Sequence, residues 1–184
     1  MSTPKHRTAP GSSYFVTTKC WQGRSVFQVA EVADILIRTI LNYRDRKAFL
    51  LHEFVVMPNH FHILLTPSAN TSLEKAIQLV KGGSSHAIHK TRGQEMVIWQ
   101  EGFFDWTIRG SADWHVKVEY IRMNPVRAKL VARPEEWPYS SANGSFSLDP
   151  TPAQYLRAAS GAEAHFIPSQ PPGLKPRPPK EQNA

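Results

Sequence analysis

The strongest structural signal in the sequence is Phe49-Leu-Leu-His-Glu-Phe-Val-Val-Met57, then Pro58-Asn59, then His60-Phe-His-Ile-Leu-Leu-Thr66. Its two apolar runs are rich in β-branched and aromatic residues, which strands favour, and they flank two residues that turns favour. The stretch therefore predicts an antiparallel hairpin. Because side chains alternate between the two faces of a strand, His60 and His62 point to one face and the apolar residues that follow each of them point to the other.

The residues on either side of the hairpin predict further elements. A β-branched and aromatic run at 14–18 predicts a strand, and apolar residues at helical spacing over 32–43 predict a helix after it. After the hairpin, Thr71-Ser-Leu-Glu74 is typical of a capping box and predicts the start of a second helix. Gly82-Gly83 is expected to interrupt or kink that helix, because glycine is a poor helix former.

The residues beyond the second helix complete the fold prediction. Residues 97–108 predict a fourth strand with a bend at Gly102, and a third helix is expected to begin with Ser111 as its N-cap and to stop at Pro125 or restart there. Its buried stripe is predicted to be Trp114, Val118 and Ile121. This order of elements is that of a split βαβ unit. The predicted fold class is therefore α+β: a ferredoxin-like antiparallel sheet with two helices on one face and a tyrosine-bearing helix beside the histidine strand.

Length and composition bound the class of protein. The chain has 184 residues, of which 41% are hydrophobic, which is enough for one core and too many for disorder over the whole length. A single cysteine, Cys20, excludes an internal disulfide and a cysteine-rich zinc site, and no apolar run has the length of a membrane span or a signal peptide. We therefore expect a cytoplasmic protein. The net charge of +7 makes nucleic acid the leading class of partner.

The chain divides into three segments by composition. Residues 1–11 form a polar N-terminal arm, and residues 12–144 hold the predicted strands and helices. Residues 145–184 carry eight of the 15 prolines and few large apolar residues. We therefore expect an irregular C-terminal tail there.

The two histidines of the hairpin are candidate metal ligands. Along a strand they lie about 7 Å apart, twice the rise per residue, and two imidazoles at this spacing can converge on one divalent metal. The alternative is that His60 and His62 are ordinary polar residues on a half-exposed strand.

Tyr120 and Asn124 lie four residues apart, and so on one face of the third helix. A phenol directed at a metal-bound phosphate is a candidate nucleophile, and an amide oxygen one turn later is a candidate third ligand. A phenol attacks phosphate poorly unless a cation stabilises the charge that develops. The alternative is a tyrosine that only packs on the helix surface.

Basic residues crowd the region of the third helix. Arg109, Arg122, Arg127 and Lys129 are candidates to grip a phosphate backbone, and a solvated basic helix end is the alternative. Lys81 precedes a Gly-Gly-Ser-Ser stretch that loosely resembles a phosphate-contacting loop but lacks the spacing of a P-loop, so no nucleotide cofactor is expected. The aromatic residues of 97–108 either stack on bases or belong to the core, which is the favoured role for most of them.

Four blocks, taken together and in order, resemble one known family. They are Val55-Val-Met-Pro-Asn-His-Phe-His-Ile-Leu64, Lys81-Gly-Gly-Ser-Ser85, Val97-Ile-Trp-Gln-Glu-Gly-Phe-Phe-Asp-Trp-Thr-Ile-Arg109 and Tyr120-Ile-Arg-Met-Asn-Pro-Val-Arg-Ala-Lys-Leu-Val131. This family is the REP-associated tyrosine transposases, which belong to the HUH class of single-strand nucleases and transposases. The resemblance extends over about residues 14–141.

The resemblance implies a ferredoxin-like fold and a divalent metal, Mg²⁺ or Mn²⁺, on His60 and His62, with Asn124 as the third ligand. It also implies that Tyr120 attacks a DNA phosphodiester and leaves a 5′-phosphotyrosine link and a free 3′-hydroxyl. Members of the family act on imperfect palindromes that fold as hairpins within repeated extragenic elements of bacterial chromosomes. The implied partner is therefore single-stranded or hairpin DNA at the bacterial nucleoid, with no membrane partner. The REP-associated group implies a monomer, and a dimer, as in related transposases of this chemistry, is the alternative.

The chain departs from the family pattern at three positions. Trp137 stands where a tyrosine is expected, Trp106 where a basic residue is common, and Lys129 where glycine is usual. The last of these is expected to alter the turn after the tyrosine helix. None belongs to the implied catalytic set, so loss of activity is not indicated.

Two other functions stay open at this point. One is a nucleic-acid-binding regulator that keeps the fold and the hairpin recognition without cutting. The other is a zinc hydrolase that uses the two histidines and a carboxylate such as Asp105 or Glu119. A hydrolase of this kind would keep its activity when Tyr120 is lost.

Overall fold

The computed structural model describes residues 8–156. Its regular elements are the strands β1 (Tyr14–Lys19), β2 (Phe49–Met57), β3 (His60–Pro67) and β4 (Phe104–Thr107), and the helices α1 (Ala30–Asp45), α2 (Leu73–Arg92) and α3 (Ser111–Arg127). The strands form one antiparallel sheet in the order β2-β3-β1-β4. This chain order and strand order are those of a ferredoxin-like fold, which confirms the predicted fold class.

The hairpin forms where the sequence predicts it. β2 and β3 pair along their length, and Met57 lies opposite His60 across the Pro58-Asn59 turn. The register shifts once, between Leu51 and Glu53. A bulge of this kind re-aims a side chain, and the carboxylate of Glu53 reaches α3 as a result.

The two faces of the sheet are covered by different helices. α1 and α2 pack on one face, where Phe61, Ile63 and Leu65 of β3 are fully buried. α3 packs on the other face, over β2 and β3, around a smaller core that contains Phe15 and Trp114. His60 and His62 lie on the α3 face, as the alternation along β3 predicts.

α2 differs from its prediction in two respects. Its N-cap is Ser72 and not Thr71, and the Ser72 hydroxyl accepts from the backbone N–H of Lys75, so a single cap bond replaces the predicted capping box. The helix also runs without interruption through both glycines. The prediction of a break there is wrong, because Gly83 serves a close approach of α1: a Cβ at this position would lie 2.8 Å from the ring of Tyr43.

The fourth strand is shorter than predicted. Only Phe104–Thr107 pairs with β1, whereas Trp99 forms a single bridge to Cys20 and packs in the core of the α1 and α2 face. The chain bends at Gly102, as predicted, with a positive φ of 72° that glycine adopts without strain.

α3 begins and ends differently from the prediction. Its N-cap is Gly110, and Ser111 is its first helical residue. Pro125 lies inside the helix with its ring buried, so the expectation that proline stops the helix is wrong. The helix closes at Arg127, and in the sequence after it Lys129 takes the left-handed conformation with a φ of 57°.

This end of α3 is a Schellman motif. The backbone N–H of Leu130 donates to Pro125 O at 3.0 Å, and that of Lys129 donates to Val126 O at 2.9 Å. The motif places its second-last residue in the left-handed region, where glycine is favoured. Glycine is therefore the favoured residue at position 129 of this turn, and here a lysine occupies that position.

Part of the proline-rich segment packs against the domain. Asp149 accepts from Arg44 and from the backbone N–H of Leu51, and Tyr155 stacks on Trp114 with 4.9 Å between ring centroids. These contacts involve residues 145–156, and the rest of the predicted tail, like most of the N-terminal arm, lies outside the described residues. The predicted segment boundaries at 11 and 144 stay predictions. No helix within residues 8–156 is both long and apolar enough to cross a bilayer.

Candidate active site

Four side chains that the sequence selects for chemistry meet on the α3 face of the sheet. The rings of His60 and His62 converge to 4.8 Å between centroids. The ring of Tyr120 lies 5.2 Å from that of His62 and is turned 74° to it. Asn124, one turn further along α3, lies close enough to His60 for its side chain to raise the pKa of that imidazole. The packing of α3 on β3 therefore assembles one cluster from two distant parts of the chain.

One nitrogen of His62 has no hydrogen-bond partner among residues 8–156. The side chain is 2% exposed, and its Nδ1 lies 2.8 Å from the hydroxyl of Thr17, the residue opposite it on β1. Its buried Nε2 makes no hydrogen bond within residues 8–156. An unpartnered buried polar atom lowers stability by about 1–3 kcal/mol, so such atoms are rare unless a ligand completes them.

Both imidazoles are neutral near pH 7. Burial lowers the pKa of His62 well below its usual 6.5, and the charge of neighbouring His60 lowers it further. Burial also lowers the pKa of His60 to about 4, with Lys19 adding to the shift and the side chain of Asn124 opposing it. Neutral imidazole is the form that binds a metal ion.

Hydrogen bonds orient both imidazole rings. Nδ1 of His60 lies 2.7 Å from the amide oxygen of Asn59. Because this oxygen only accepts, Nδ1 of His60 carries the proton and its Nε2 keeps a lone pair. Thr17 plays the corresponding part for His62, since a hydroxyl can accept from Nδ1. Partners of this kind fix the tautomer of a metal-binding histidine.

The donors at this cluster are two nitrogens and an amide oxygen. No group of three His, Cys, Asp or Glu side chains within residues 8–156 is placed to hold a metal. The zinc hydrolase alternative therefore lacks the carboxylate it needs, since neither Asp105 nor Glu119 joins the two histidines. The unpartnered Nε2 of His62 fits a metal ligand, and the amide of Asn124 fits a third donor for a divalent cation.

Tyr120 is half-buried between aromatic rings and a cation. Phe15 of β1 meets the Tyr120 ring edge-on, with 5.6 Å between centroids, and stacks on His62 at 5.2 Å. The guanidinium carbon of Arg127 lies 5.4 Å from the centroid of the tyrosine ring. These contacts hold the phenol beside the imidazoles and place a positive charge near an oxygen that could become negative.

Arg122 is half exposed and forms an ion pair with the buried carboxylate of Glu53. Its Nε donates to Oε1 of Glu53 at 3.0 Å, and its terminal nitrogen donates to the same oxygen. The Glu53 carboxylate is 4% exposed and also accepts from the hydroxyl of Ser141 at 2.5 Å. These bonds fasten the turn of α3 that carries Tyr120 to the bulge of β2. A role of Arg122 in DNA binding stays a prediction.

The other predicted phosphate contacts have different surroundings. Lys81 donates to two backbone carbonyls of the loop at 100–102, at 2.8 and 2.9 Å, and so fastens the chain before β4. Arg109 lies against Trp106, with 5.9 Å from its guanidinium carbon to the ring centroid. Lys129 is exposed beyond the end of α3. Arg109 and Lys129 are therefore accessible, whereas Lys81 is occupied.

Three residues of this cluster were not predicted from the sequence. Thr17 and Phe15 contact the candidate catalytic side chains from β1, and only the pairing of β1 with β3 could have found them. Lys117 lies on α3 one turn before Tyr120, and its Nζ is 5.2 Å from the centroid of the Phe15 ring. Its spacing of three residues from the tyrosine was the available signal.

Comparisons with known proteins assign this chain to a family. The family model described as "Transposase IS200 like" matches residues 12–124, a range that contains the two histidines, Tyr120 and Asn124. The REP-associated tyrosine transposase of Escherichia coli K12 is 26% identical over 155 residues, which cover 81% of this chain and 90% of the relative. A relative from Haemophilus influenzae is 28% identical over 96 residues, which cover 47% of this chain and 54% of the relative.

A solved structure agrees with these sequence matches. It is described as a REP-associated tyrosine transposase bound to a REP hairpin, and it matches with a TM-score of 0.66 and 25% identity. The match covers 89% of this chain and 98% of the solved chain. The resemblance to the REP-associated tyrosine transposases is confirmed, and this chain belongs to the IS200-like transposases, a family of enzymes.

Proposed function

We propose that this chain is a single-strand DNA endonuclease and strand transferase with Tyr120 as its nucleophile and Mg²⁺ or Mn²⁺ as its cofactor. One observation carries the proposal. The half-buried phenol of Tyr120 lies against the imidazole of His62, which contacts a second imidazole, that of His60, and has a buried nitrogen without a hydrogen-bond partner among residues 8–156. A phenol can attack a phosphodiester, and two imidazoles and an amide on the same surface can bind the metal ion that assists the attack.

In the proposed step the phenolic oxygen of Tyr120 attacks the scissile phosphorus. A bond forms between phosphorus and the tyrosine oxygen, and the bond from phosphorus to the 3′-oxygen breaks. The phenol loses its proton and the 3′-oxygen gains one, so the products are a 5′-phosphotyrosine and a 3′-hydroxyl. The bond energy is kept in the phosphotyrosine, and attack by a 3′-hydroxyl can therefore rejoin strands without ATP.

Residues around the nucleophile support this step. Phe15 fixes the ring of Tyr120 against His62, and Arg127 lies beside the ring, where it would stabilise negative charge. His60, His62 and Asn124 would hold the metal, which when bound supplies a Lewis acid and a template for the scissile phosphate. The hydrogen bond from Nδ1 of His60 to the Asn59 amide oxygen keeps Nε2 of His60 unprotonated for this task, and Thr17 does the same for His62 when its hydroxyl accepts from Nδ1.

The proposed substrate is single-stranded DNA that carries a REP-type hairpin. The solved relative that covers most of this chain is bound to such a hairpin. The net charge of +7 and the accessible Arg109, Arg127 and Lys129 suit a phosphate backbone. We place the activity in the cytoplasm at the nucleoid, and we expect one copy of the chain to carry a complete site.

A covalent adduct assay tests the proposal. The full chain is mixed with Mg²⁺ or Mn²⁺ and single-stranded oligonucleotides that bear the palindromic repeats flanking its gene, and the products are run on a denaturing gel. We expect a protein–DNA adduct that disappears with chelator and with Tyr120→Phe. Tyr43→Phe is the matched control, because Tyr43 lies on α1 across the sheet, and it should keep the adduct.

One result of this assay would favour the regulator that binds without cutting. Hairpin binding with neither adduct nor cleavage in any of the metals would remove the nuclease assignment. Cleavage that survives Tyr120→Phe would also contradict it, because a water nucleophile would then be at work.

A further inference from the structure

Trp106 is an exposed aromatic residue next to the candidate active site. It lies on β4, an edge strand of the sheet, directly opposite Phe15 of β1, and it is 41% exposed. Phe15 in turn contacts both His62 and Tyr120. One aromatic ring therefore separates Trp106 from the proposed nucleophile and from a proposed metal ligand.

The indole of Trp106 is held in a fixed orientation. Its Nε1 donates to both carboxylate oxygens of Asp113, at 2.9 and 3.1 Å. The same carboxylate accepts from the backbone N–H of Arg109 at 3.1 Å. An exposed side chain that is already ordered loses little conformational entropy when a partner binds to it. The surface is therefore prepared for a flat ligand.

Two cations lie beside this indole. Nζ of Lys117 is 4.6 Å from the ring centroid, and the guanidinium carbon of Arg109 is 5.9 Å from it. An aromatic surface with adjacent positive charge is complementary to a nucleotide, which has a flat base and a negative phosphate. Neither a neutral peptide nor double-stranded DNA offers both groups, since the bases of a duplex are already stacked.

We propose that Trp106 stacks on an unpaired base of the DNA strand close to the scissile phosphate, with Lys117 and Arg109 against the flanking phosphates. This inference rests on the proposed function, because it specifies which part of a single-stranded substrate the site binds. A stacking contact depends less on salt than a charge contact does, because salt screens charges.

Binding measurements test this site separately from the chemistry. The probes are fluorescent oligonucleotides that carry the flanking palindromic repeats with single-stranded extensions, and Kd is measured on the full chain in chelator. We expect Trp106→Ala to weaken binding roughly 5- to 100-fold, the range for loss of one stacked base, and Trp106→Phe to retain most of the affinity. Trp21→Ala is the matched control, since Trp21 is 40% exposed and has no contact with Phe15 or Asp113, and its Kd should not change.

Two further comparisons identify the stacked base and the kind of contact. An abasic site moved along the single-stranded extension should weaken wild-type binding at one position and have no additional effect there in Trp106→Ala. Trp106→Lys should bind with a steeper dependence on salt than the wild-type chain, because it adds a phosphate contact.

The outcomes separate this inference from the proposed function. Equal Kd values for the wild type and Trp106→Ala, together with an adduct in the wild type, would overturn the stacking site and leave the nuclease proposal standing. Abasic penalties that are the same in both proteins would also overturn it. A wild-type chain that binds none of the probes and forms no adduct would overturn the proposed function itself.

Discussion

Each face of the sheet holds one buried polar atom that has no hydrogen-bond partner within residues 8–156, and the two atoms have very different neighbours. Thr18 Oγ1 lies on the face covered by α1 and α2, opposite Phe61 and among aliphatic and aromatic side chains. His62 Nε2 lies on the α3 face, beside a second imidazole and a phenol. An unpartnered atom marks a candidate site only where other reactive groups surround it.

The same strands build both faces, so the difference comes from alternation along the chain. On β3, Phe61 and Ile63 point to the larger core, and the histidines between and before them point to α3. The larger core supplies most of the buried apolar surface, which leaves the smaller core free to hold polar groups. The α1 and α2 face of the sheet therefore supplies most of the stability, and the α3 face carries the candidate active site. Substitutions on the two faces can test this division.

The largest expected effect is loss of activity without loss of fold. His62→Ala removes the unpartnered imidazole, and we expect adduct formation to fall on the order of 100-fold or more, because a proposed ligand at the reacting phosphate is gone. Thermal unfolding should change much less than for a core aromatic. His86→Ala is the control, since His86 is an exposed histidine on α2, and its activity should match the wild type. Full activity of His62→Ala would place the chemistry elsewhere.

The opposite result is expected one residue away. Phe61→Ala empties a fully buried site on the α1 and α2 face, and we expect it to lower the free energy of unfolding by about 3–5 kcal/mol. Urea unfolding monitored by circular dichroism measures this loss. The adduct yield per folded molecule should stay near the wild-type value. A selective loss of activity with unchanged stability would break the division between the two faces.

Acid should destabilise the protein through the α3 face. Burial lowers the pKa of His52, which packs against Trp114 and hydrogen bonds to Thr66 on this face. The unfolded chain binds more protons than the folded one below the ordinary histidine pKa of 6.5, so this contribution is complete above that pH and is lost as the pH falls. The slope should reach about 1.4 kcal/mol per pH unit for one histidine.

Denaturation in urea between pH 7.5 and pH 5 measures this slope, with chelator present throughout. His52→Gln should reduce the slope without abolishing it, because glutamine does not titrate whereas His60 and His62, whose pKa values burial also lowers, still do. His86→Ala serves again as the control and should keep the wild-type slope, since His86 is exposed. A slope unchanged by His52→Gln would assign the acid sensitivity to other groups.

The smallest expected effect lies at the end of α3. Lys129 occupies a left-handed position of the Schellman motif, where glycine has no steric penalty. We expect Lys129→Gly to raise the free energy of unfolding by up to about 1 kcal/mol, measured as an increase in Tm of a few degrees. Because Lys129 is exposed and basic, a simultaneous loss of DNA affinity would show that the lysine contacts a DNA phosphate although it destabilises the turn. A lower Tm for the glycine variant would contradict the assignment of strain to this turn.

Local patterns predicted the element order because each depends on near neighbours in the chain. The alternation in 60–66 predicted which side of β3 carries the histidines, and the i, i+4 spacing predicted that Tyr120 and Asn124 share a face. Patterns failed where a distant residue decides the outcome. Gly83 lies within an unbroken α2, where the absence of a side chain lets α1 pack closely. Pro125 lies inside α3 with its ring buried.

The fold class and the four candidate catalytic residues were predictable before the structure, because periodicity and spacing are properties of short segments and the family resemblance selects the same four residues together. The partners of the candidate site residues depend on tertiary packing. Thr17 against His62, Glu53 against Arg122 and Lys81 against the loop before β4 join residues that lie far apart in the sequence. A charged or polar side chain has several possible partners in the sequence, and the packing of the chain selects the one with which it forms a hydrogen bond.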